Sequence, residues 1–215
     1  MQGKLEIFSL ELGPLQTNCY FIVEPSTKKV VVVDPADEGD RIWRKIQKEG
    51  WHLDTILVTH GHYDHIGGVA SLKELSGAGV WIHEHDAEML DSPDKNFSSL
   101  LGTPYACRSD GRLQEGQTIE IGPSEIRVLH TPGHTRGSTS FQGDGFIIVG
   151  DTLFKGSIGR TDFPGSSHET LITSIRDQFM VLEDHTRVYP GHGPATTIGD
   201  ERNGNPFLVG TQPYI

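Results

Sequence analysis

Short apolar runs separated by glycine-containing turns alternate along this chain with a few segments of helical spacing. The continuous apolar runs at residues 30–33 and 146–149 predict strands that are buried on both faces. Residues 39–49 instead carry apolar side chains three and four positions apart, which predicts an amphipathic helix. Because strands and helices occur in both halves of the chain, the pattern predicts sheets that pack on each other and are covered by helices.

The same reasoning places the other elements. Further strands are predicted at residues 4–10, 19–23, 55–58, 80–83, 118–121, 126–129, 138–141 and 188–189, and further helices at residues 67–75 and 169–182. No linker or repeat divides the sequence, so residues 1–215 are predicted to form one domain with a weakly structured tail from about residue 204.

The composition narrows the class of protein. Hydrophobic residues make up 35% of the 215 residues and charged residues 22%, which excludes disorder for most of the chain. The formal net charge is −11 and no basic cluster occurs, so we expect no nucleic-acid partner. The apolar runs are too short for a membrane helix, no secretory signal is visible, and 2 cysteines cannot form a disulfide framework. We therefore expect a cytoplasmic protein with no membrane partner.

The strongest chemical signal is the segment THGHYDHIGG at residues 59–68, directly after a predicted strand. It places His60, His62, Asp64 and His65 in one turn. Imidazole and carboxylate groups are ligands that zinc, iron and manganese accept. A polar surface turn is the alternative interpretation, but the concentration of histidine after a buried strand favours a metal site.

Three isolated residues in the second half of the chain extend this signal. His134, Asp151 and His192 each follow a predicted apolar strand, and each has a glycine beside it. Glycine lets the backbone approach a site closely. Each residue alone would more often be structural, but together with the histidine-rich turn they indicate further metal ligands.

These residues together resemble the motif of the metallo-β-lactamase-fold hydrolase superfamily. The chain is most similar to short glyoxalase II-like (hydroxyacylglutathione hydrolase-like) enzymes, and the segments GPL at residues 13–15 and GDTLF at residues 150–154 also match. The resemblance implies an α/β fold that is a four-layer αβ/βα sandwich, with the site at the strand edges where the two sheets meet. Full glyoxalase II enzymes add a C-terminal helical domain that holds glutathione, and little sequence follows His192 here for such a domain.

The resemblance also implies a ligand set. It assigns a first metal ion to His60, His62 and His134, a second to Asp64, His65 and His192, and a bridging position to Asp151. Seven ligands exceed the four of a tetrahedral zinc ion, which argues independently for two divalent ions. Zinc is the first expectation, and iron and manganese are the alternatives.

The implied activity is hydrolysis of a small acyl thioester, such as an S-acylglutathione, by a metal-bridging hydroxide. Asp64 is expected to orient this nucleophile and accept its proton. A thiol, with a pKa of about 8.5, leaves without a strong general acid. Arg160 is a candidate for binding a substrate carboxylate, and an ion pair with Asp162 is its alternative role. The sequence does not indicate an oligomeric state.

Other functions remain open at this stage. The segment GRTDF at residues 159–163 is similar to part of the persulfide dioxygenases on this fold, which hold one iron through two histidines and an aspartate, here His60, His134 and Asp151. The complete second ligand set favours the hydrolase. Further alternatives are a lactonase, a β-lactamase, or a binding protein whose metal site has lost its catalytic role.

Two other groups have simpler interpretations. His83 and His85 have a spacing that could hold a metal, but we predict a strand end and a helix cap there. Cys19 and Cys107 are predicted to be small buried residues and not nucleophiles.

Overall fold

The computed structural model of the protein describes residues 4–101 and 103–209. Its helices are α1 (Gly39–Glu49), α2 (Tyr63–Ile66), α3 (Val69–Ser76), α4 (Ala87–Asp91), α5 (His168–Ser174) and α6 (Ile198–Gly204). Its strands are β1 (Glu6–Leu12), β2 (Thr17–Glu24), β3 (Lys29–Val33), β4 (His52–Leu57), β5 (Gly79–His83), β6 (Gly111–Leu113), β7 (Thr118–Ile121), β8 (Ser124–His130), β9 (Thr139–Gly143), β10 (Phe146–Gly150), β11 (Leu153–Phe154), β12 (Ser157–Ile158), β13 (Arg187–Pro190) and β14 (Thr196–Thr197).

The strands form two large sheets and one small pair. The first sheet has the order β1-β2-β3-β4-β5-β6, and the second has the order β14-β13-β10-β9-β8-β7. Strands β3 to β6 run parallel to one another, as do β10 and β13, and the remaining neighbours in the two large sheets are antiparallel. Strands β11 and β12 pair only with each other.

Successive side chains of a buried strand point to opposite faces of the sheet, and each face packs against a different layer. In β2, Cys19 and Phe21 pack in a cluster with residues of α1 and α3, while Tyr20 and Ile22 pack in a second cluster against strands of the other sheet. A third cluster lies between the second sheet and helices α5 and α6. Since each apolar sheet face is buried against a different layer, the predicted four-layer αβ/βα sandwich is confirmed.

The observed elements differ from the predicted ones in the least periodic segments. The helix predicted at residues 169–182 is α5 followed by a π-helical turn at Ile175–Phe179. Short 3₁₀ turns at Glu84–Asp86 and Ser98–Leu101, helix α4 and strand β6 were not predicted. The predicted tail lies outside the described residues from position 210 onward, and no described helix has the length and apolarity needed to cross a bilayer.

The connections between these elements position the chemistry. The histidine-rich turn follows β4, and the loops after β8, β10 and β13 carry His134, Asp151 and His192. The isolated bridge between Thr17 and His192 joins the two sheets at this edge. Side chains that are distant in sequence therefore meet at one end of the sandwich, where the carboxyl ends of parallel strands commonly form binding sites.

Candidate metal centre

The structure brings together all seven residues that the sequence suggested as ligands. His60, His62 and His134 form one group and Asp64, His65 and His192 another, and the ligand atoms within each group lie within 4.8 Å of one another. Asp151 lies between the groups. Its Oδ1 is 3.3 Å from His65 Nε2, and its Oδ2 is 3.7 Å from His134 Nε2 and 3.6 Å from His192 Nε2.

In three of the histidines, a hydrogen bond to Nδ1 determines that Nε2 is the ring nitrogen that faces the centre. The Nδ1 of His65 donates to Asp34 Oδ2 (2.8 Å), that of His134 to the Arg160 carbonyl (2.8 Å) and that of His192 to the Leu15 carbonyl (3.2 Å). Carbonyl and carboxylate oxygens only accept, so each Nδ1 carries the proton. Each Nε2 therefore points into the site, where that of His192 lies 3.1 Å from Asp64 Oδ2.

The other two histidines complete the pattern. Thr59 Oγ1 donates to Asp34 Oδ2 (2.6 Å) and lies 3.1 Å from His60 Nδ1, so it accepts the proton of that nitrogen and leaves His60 Nε2 free. His62 Nδ1 faces His134 Nε2 at 3.0 Å. Since the His134 proton is on Nδ1, His134 Nε2 carries a lone pair. Either His62 Nδ1 donates its proton to His134 Nε2, or both nitrogens direct lone pairs at a cation between them.

Unpartnered buried atoms show that a metal fits these residues. His60 Nε2, His65 Nε2 and Asp151 Oδ1 are buried and have no hydrogen-bond partner among the described residues. Buried polar atoms are normally satisfied because desolvating them without a partner is costly. Imidazole nitrogens and a carboxylate oxygen aimed at a common centre are the donors that zinc and iron prefer, so divalent ions would satisfy all three atoms.

The local electrostatics favour the metal-binding state of His60, His62 and Asp151. Burial and the neighbouring histidines lower the pKa of His60 well below its usual value, and burial with His134 lowers the pKa of His62 to about 3. Burial also favours the protonated form of Asp151, but the adjacent His65 outweighs it and lowers the pKa of the carboxyl group. Burial acts to lower the pKa of His65 and of His192 as well, but the nearby carboxylates outweigh it and raise both pKa values. Neutral imidazole and ionised carboxylate are the metal-binding forms.

Asp34 orients part of this centre, although it is not among the ligands that the sequence predicted. Its buried carboxylate accepts from the Thr59 amide (2.7 Å), the Thr59 hydroxyl and His65 Nδ1. Partners of this kind fix the ring orientation of metal-binding histidines. Asp34 follows the buried strand β3, as Asp151 follows β10, but it lacks the neighbouring glycine that the predicted ligands of the second half share.

Asp86 joins the two loops that carry the first histidine group, and no pattern in the sequence indicated this role. Its buried carboxylate accepts from the Gly61 amide (3.1 Å), the Thr135 hydroxyl (2.7 Å) and the Gly137 amide (2.8 Å). These bonds span 25 and 51 residues of sequence, so they fix the position of His60 and His62 relative to His134.

Close backbone approach at the centre accounts for the glycine beside His192. A Cβ at Gly191 would collide with Asp151 Oδ1 and with the His65 ring. Glycine is therefore required for this loop to close over Asp151, as predicted for the glycines beside the ligands.

Arg160 lies at the cleft that opens above the centre, but its guanidinium is already engaged. The cleft has a volume of about 330 Å³ and is lined by Arg160 together with Leu15, Tyr63, Phe97, Phe154 and Phe163. The Arg160 side chain makes two hydrogen bonds to Asp162 (3.0 and 2.8 Å) and lies 4.4 Å from the centre of the Phe163 ring. The ion pair weighed as its alternative role is thus present.

His83 and His85 lie apart from the metal centre. His83 ends β5, and its Nδ1 accepts from the His85 amide at 3.3 Å, which confirms the predicted strand end and cap. The His83 ring stacks on His130 with 4.1 Å between ring centres. We expect His83→Ala and His85→Ala to leave the metal content of the purified protein unchanged, as measured by elemental analysis. Loss of about one equivalent in either variant would place a ligand here.

The family model described as the metallo-beta-lactamase superfamily matches residues 12–192. The probable metallo-hydrolase YqgX of Bacillus subtilis is 38% identical over 205 residues, which cover 94% of this chain and 96% of that protein. The hydroxyacylglutathione hydrolase GloC of Haemophilus influenzae is 37% identical over 208 residues, which cover 93% and 98%.

Solved structures agree with the sequence comparison. The BLEG-1 B3 metallo-β-lactamase superposes with a TM-score of 0.91 at 37% identity, covering 95% of this chain and 100% of that one. TTHA1623 in a di-iron-bound form gives 0.83 at 35% identity with 94% and 100% coverage, and ETHE1 from Myxococcus xanthus gives 0.81 at 27% identity with 96% and 86% coverage. The chain therefore belongs to the metallo-β-lactamase superfamily, whose fold implies divalent metal binding.

Proposed function

We propose that this metallo-hydrolase cleaves a small acyl thioester, such as an S-acylglutathione, at a centre that holds two divalent ions. The observation that carries the proposal is the position of Asp151 between two complete groups of ligands, with free lone pairs directed at both. The similarity to GloC over nearly its whole length supports the substrate class.

The first ion would be held by His60, His62 and His134, the second by Asp64, His65 and His192, and Asp151 would contact both. When bound, such ions would lower the pKa of water to about 7 and polarise a carbonyl oxygen. Zinc is the ion that we propose first, and the di-iron form of the similar TTHA1623 supports iron as the alternative.

The protein's own groups position the substrate and the proton. Asp64 lines the cleft, and its Oδ2 lies 3.1 Å from His192 Nε2, so we assign to this carboxylate the orientation of the attacking water and the acceptance of its proton. Aromatic side chains form much of the cleft wall and limit the access of bulk water to the scissile carbonyl. A thioester suits this site because the thiolate leaves without a protonated acid, given a thiol pKa of about 8.5.

The experiment is a comparison of acyl substrates on the metal-loaded protein. We expect hydrolysis of S-lactoylglutathione with free thiol release, and much slower hydrolysis of a β-lactam, whose amide nitrogen must be protonated to leave. Faster turnover of the β-lactam, or of a lactone, would assign the protein to a different hydrolase class of the same fold.

Arg160 is proposed to bind a carboxylate of the thiol carrier at the cleft mouth. We expect Arg160→Ala to raise KM for S-lactoylglutathione by about tenfold, because a hydrogen-bonded contact to a charged group is worth roughly 1.5 kcal/mol or more. The value of kcat should change little, because the contact is equally strong in the bound substrate and in the transition state. Steady-state kinetics test this. An S-acyl-N-acetylcysteamine, which has no carboxylate, is the control substrate. An equal loss on both substrates would mean that Arg160 only supports Phe163 in the cleft wall.

A further inference from the structure

A second cavity adjoins the cleft above the metal centre. It has a volume of about 470 Å³ and shares His62 and Phe97 with the cleft. We call it the side cavity and define it by Glu88, Met89, Asp94, Lys95, Phe97 and Arg136. Its volume lies within the range of about 300–1,000 Å³ that is typical of small-molecule sites. A substrate bound at the metal centre could therefore extend into it.

Phe97 lies between the cleft and the side cavity, and its backbone adopts a strained conformation there. Its φ angle is 70°, in the left-handed region that a bulky side chain rarely adopts. Its ring centre lies 5.3 Å from that of His62 and 5.3 Å from that of Phe163. Backbone strain of this kind is found mainly at binding sites and requires support from the surroundings.

The residue that precedes Phe97 provides that support. Asn96 is fully buried, and its side chain donates to the carbonyls of Met89 (2.9 Å) and Tyr105 (3.0 Å) and accepts from the Ser98 amide (2.9 Å). Its own carbonyl accepts from the Tyr63 amide at 3.0 Å, directly beside the metal ligands. The strained conformation thus fixes the Phe97 ring relative to His62.

Some charged side chains of the side cavity have partners within the protein, and others have none. Lys95 forms an ion pair with Glu88, and Asp86 accepts the three hydrogen bonds that join the ligand loops. The side chains of Arg136 and Asp94 have no hydrogen-bond or ion-pair partner within residues 4–101 and 103–209; the one hydrogen bond of Arg136 is accepted by its backbone carbonyl from His130 Nε2. One cation and one anion at the same cavity therefore remain available to a ligand.

We propose that the side cavity binds the zwitterionic α-amino-carboxylate end of the substrate's thiol carrier. Arg136 binds the carboxylate through its planar guanidinium, Asp94 binds the ammonium group, and the Phe97 ring supports the chain that leads back to the sulfur. The γ-glutamyl end of glutathione has this chemistry. This inference rests on the proposed thioester function, because the carrier must enter from the metal centre.

The test is a binding measurement that requires no turnover. Metal-loaded protein is titrated by calorimetry with S-methylglutathione, which has no scissile bond, and with S-methyl-N-acetylcysteinylglycine, which lacks the γ-glutamyl residue. We expect Arg136→Ala and Asp94→Asn to weaken binding of the first probe by about tenfold, the factor that corresponds to about 1.4 kcal/mol, and to leave the second probe unaffected. Arg136→Lys should restore part of the affinity. Arg44→Ala, which removes an exposed arginine of α1, is the matched control.

Phe97→Gly provides a variant that suits the backbone, because glycine adopts a φ of 70° without strain. We expect it to keep the melting temperature near that of the parent protein and to weaken S-methylglutathione binding. An unchanged affinity would show that the ring does not support the ligand and would overturn that part of the proposal.

The outcomes separate this proposal from the proposed function. Hydrolysis of S-lactoylglutathione combined with an affinity that Arg136→Ala leaves unchanged would overturn the side-cavity site and leave the thioester function standing. Arg136-dependent binding of S-methylglutathione without thioester hydrolysis would support the site and overturn the function. Absence of S-methylglutathione binding to the unmutated protein would overturn the site.

Discussion

Asp151→Ala is expected to remove metal from both ligand groups and to lower kcat/KM by at least about 10³-fold, because no bound ion would then lower the pKa of the attacking water to about 7. Asp151 Oδ1 faces His65, and its Oδ2 faces both His134 and His192, so its removal takes a ligand from each group at once. Elemental analysis after dialysis measures the metal, and a thioester assay measures the activity.

The matched control for this variant is Asp144→Ala, which alters an exposed aspartate at the opposite end of β10. It should keep both metal ions and the parent activity. Retention of two tightly bound ions in Asp151→Ala would contradict the bridging position. Loss of one ion only would assign Asp151 to a single metal.

Asp34→Ala is expected to have the largest effect on stability. It leaves His65 Nδ1 and two donors of Thr59 without their buried acceptor, and breaking such a buried charged contact costs roughly 3–5 kcal/mol. The same change frees the orientation of the His65 ring, for which we expect about 10- to 100-fold weaker metal binding. Chemical denaturation of the metal-free protein measures the free energy of unfolding, and competition with a chelator measures the metal affinity.

Asp110→Ala is the comparison for Asp34→Ala. Asp110 also accepts a backbone amide, that of Val80 at 2.8 Å, in the same half of the molecule, but it is half exposed and pairs with Lys73. Exposed pairs are worth about 1 kcal/mol or less, so this variant should lose little stability and no metal. Equal effects of the two substitutions would show that Asp34 is an ordinary structural acceptor.

The sequence predicted those parts of the molecule that are local or strongly patterned. The buried runs of β3 and β10 are continuous in sequence, and the spacing in α1 predicted the helix at its observed bounds. The histidine-rich turn was also visible because four of the seven proposed ligands are adjacent in the chain. The other three were found because each follows a buried strand.

Contacts between distant segments were not predictable in the same way. Asp86 acts through bonds to Gly61 and Gly137, and no spacing in the sequence marks that meeting. The short elements around residues 84–101 depend on the hydrogen bonds of buried Asn96 and not on apolar periodicity, so no helical pattern appears there. The ion pair of Arg160 with Asp162 was foreseen as an alternative, but the sequence could not show that Arg136 and Asp94 line a common cavity.

The most direct test of the central claim is metal quantification and activity on one preparation of purified protein. The proposed function predicts about two divalent ions per chain, together with hydrolysis of S-lactoylglutathione that is lost on chelation and recovered when the ions are restored. One iron per chain, with oxygen consumption on glutathione persulfide and no thioester hydrolysis, would contradict it and assign the chain to the dioxygenase alternative.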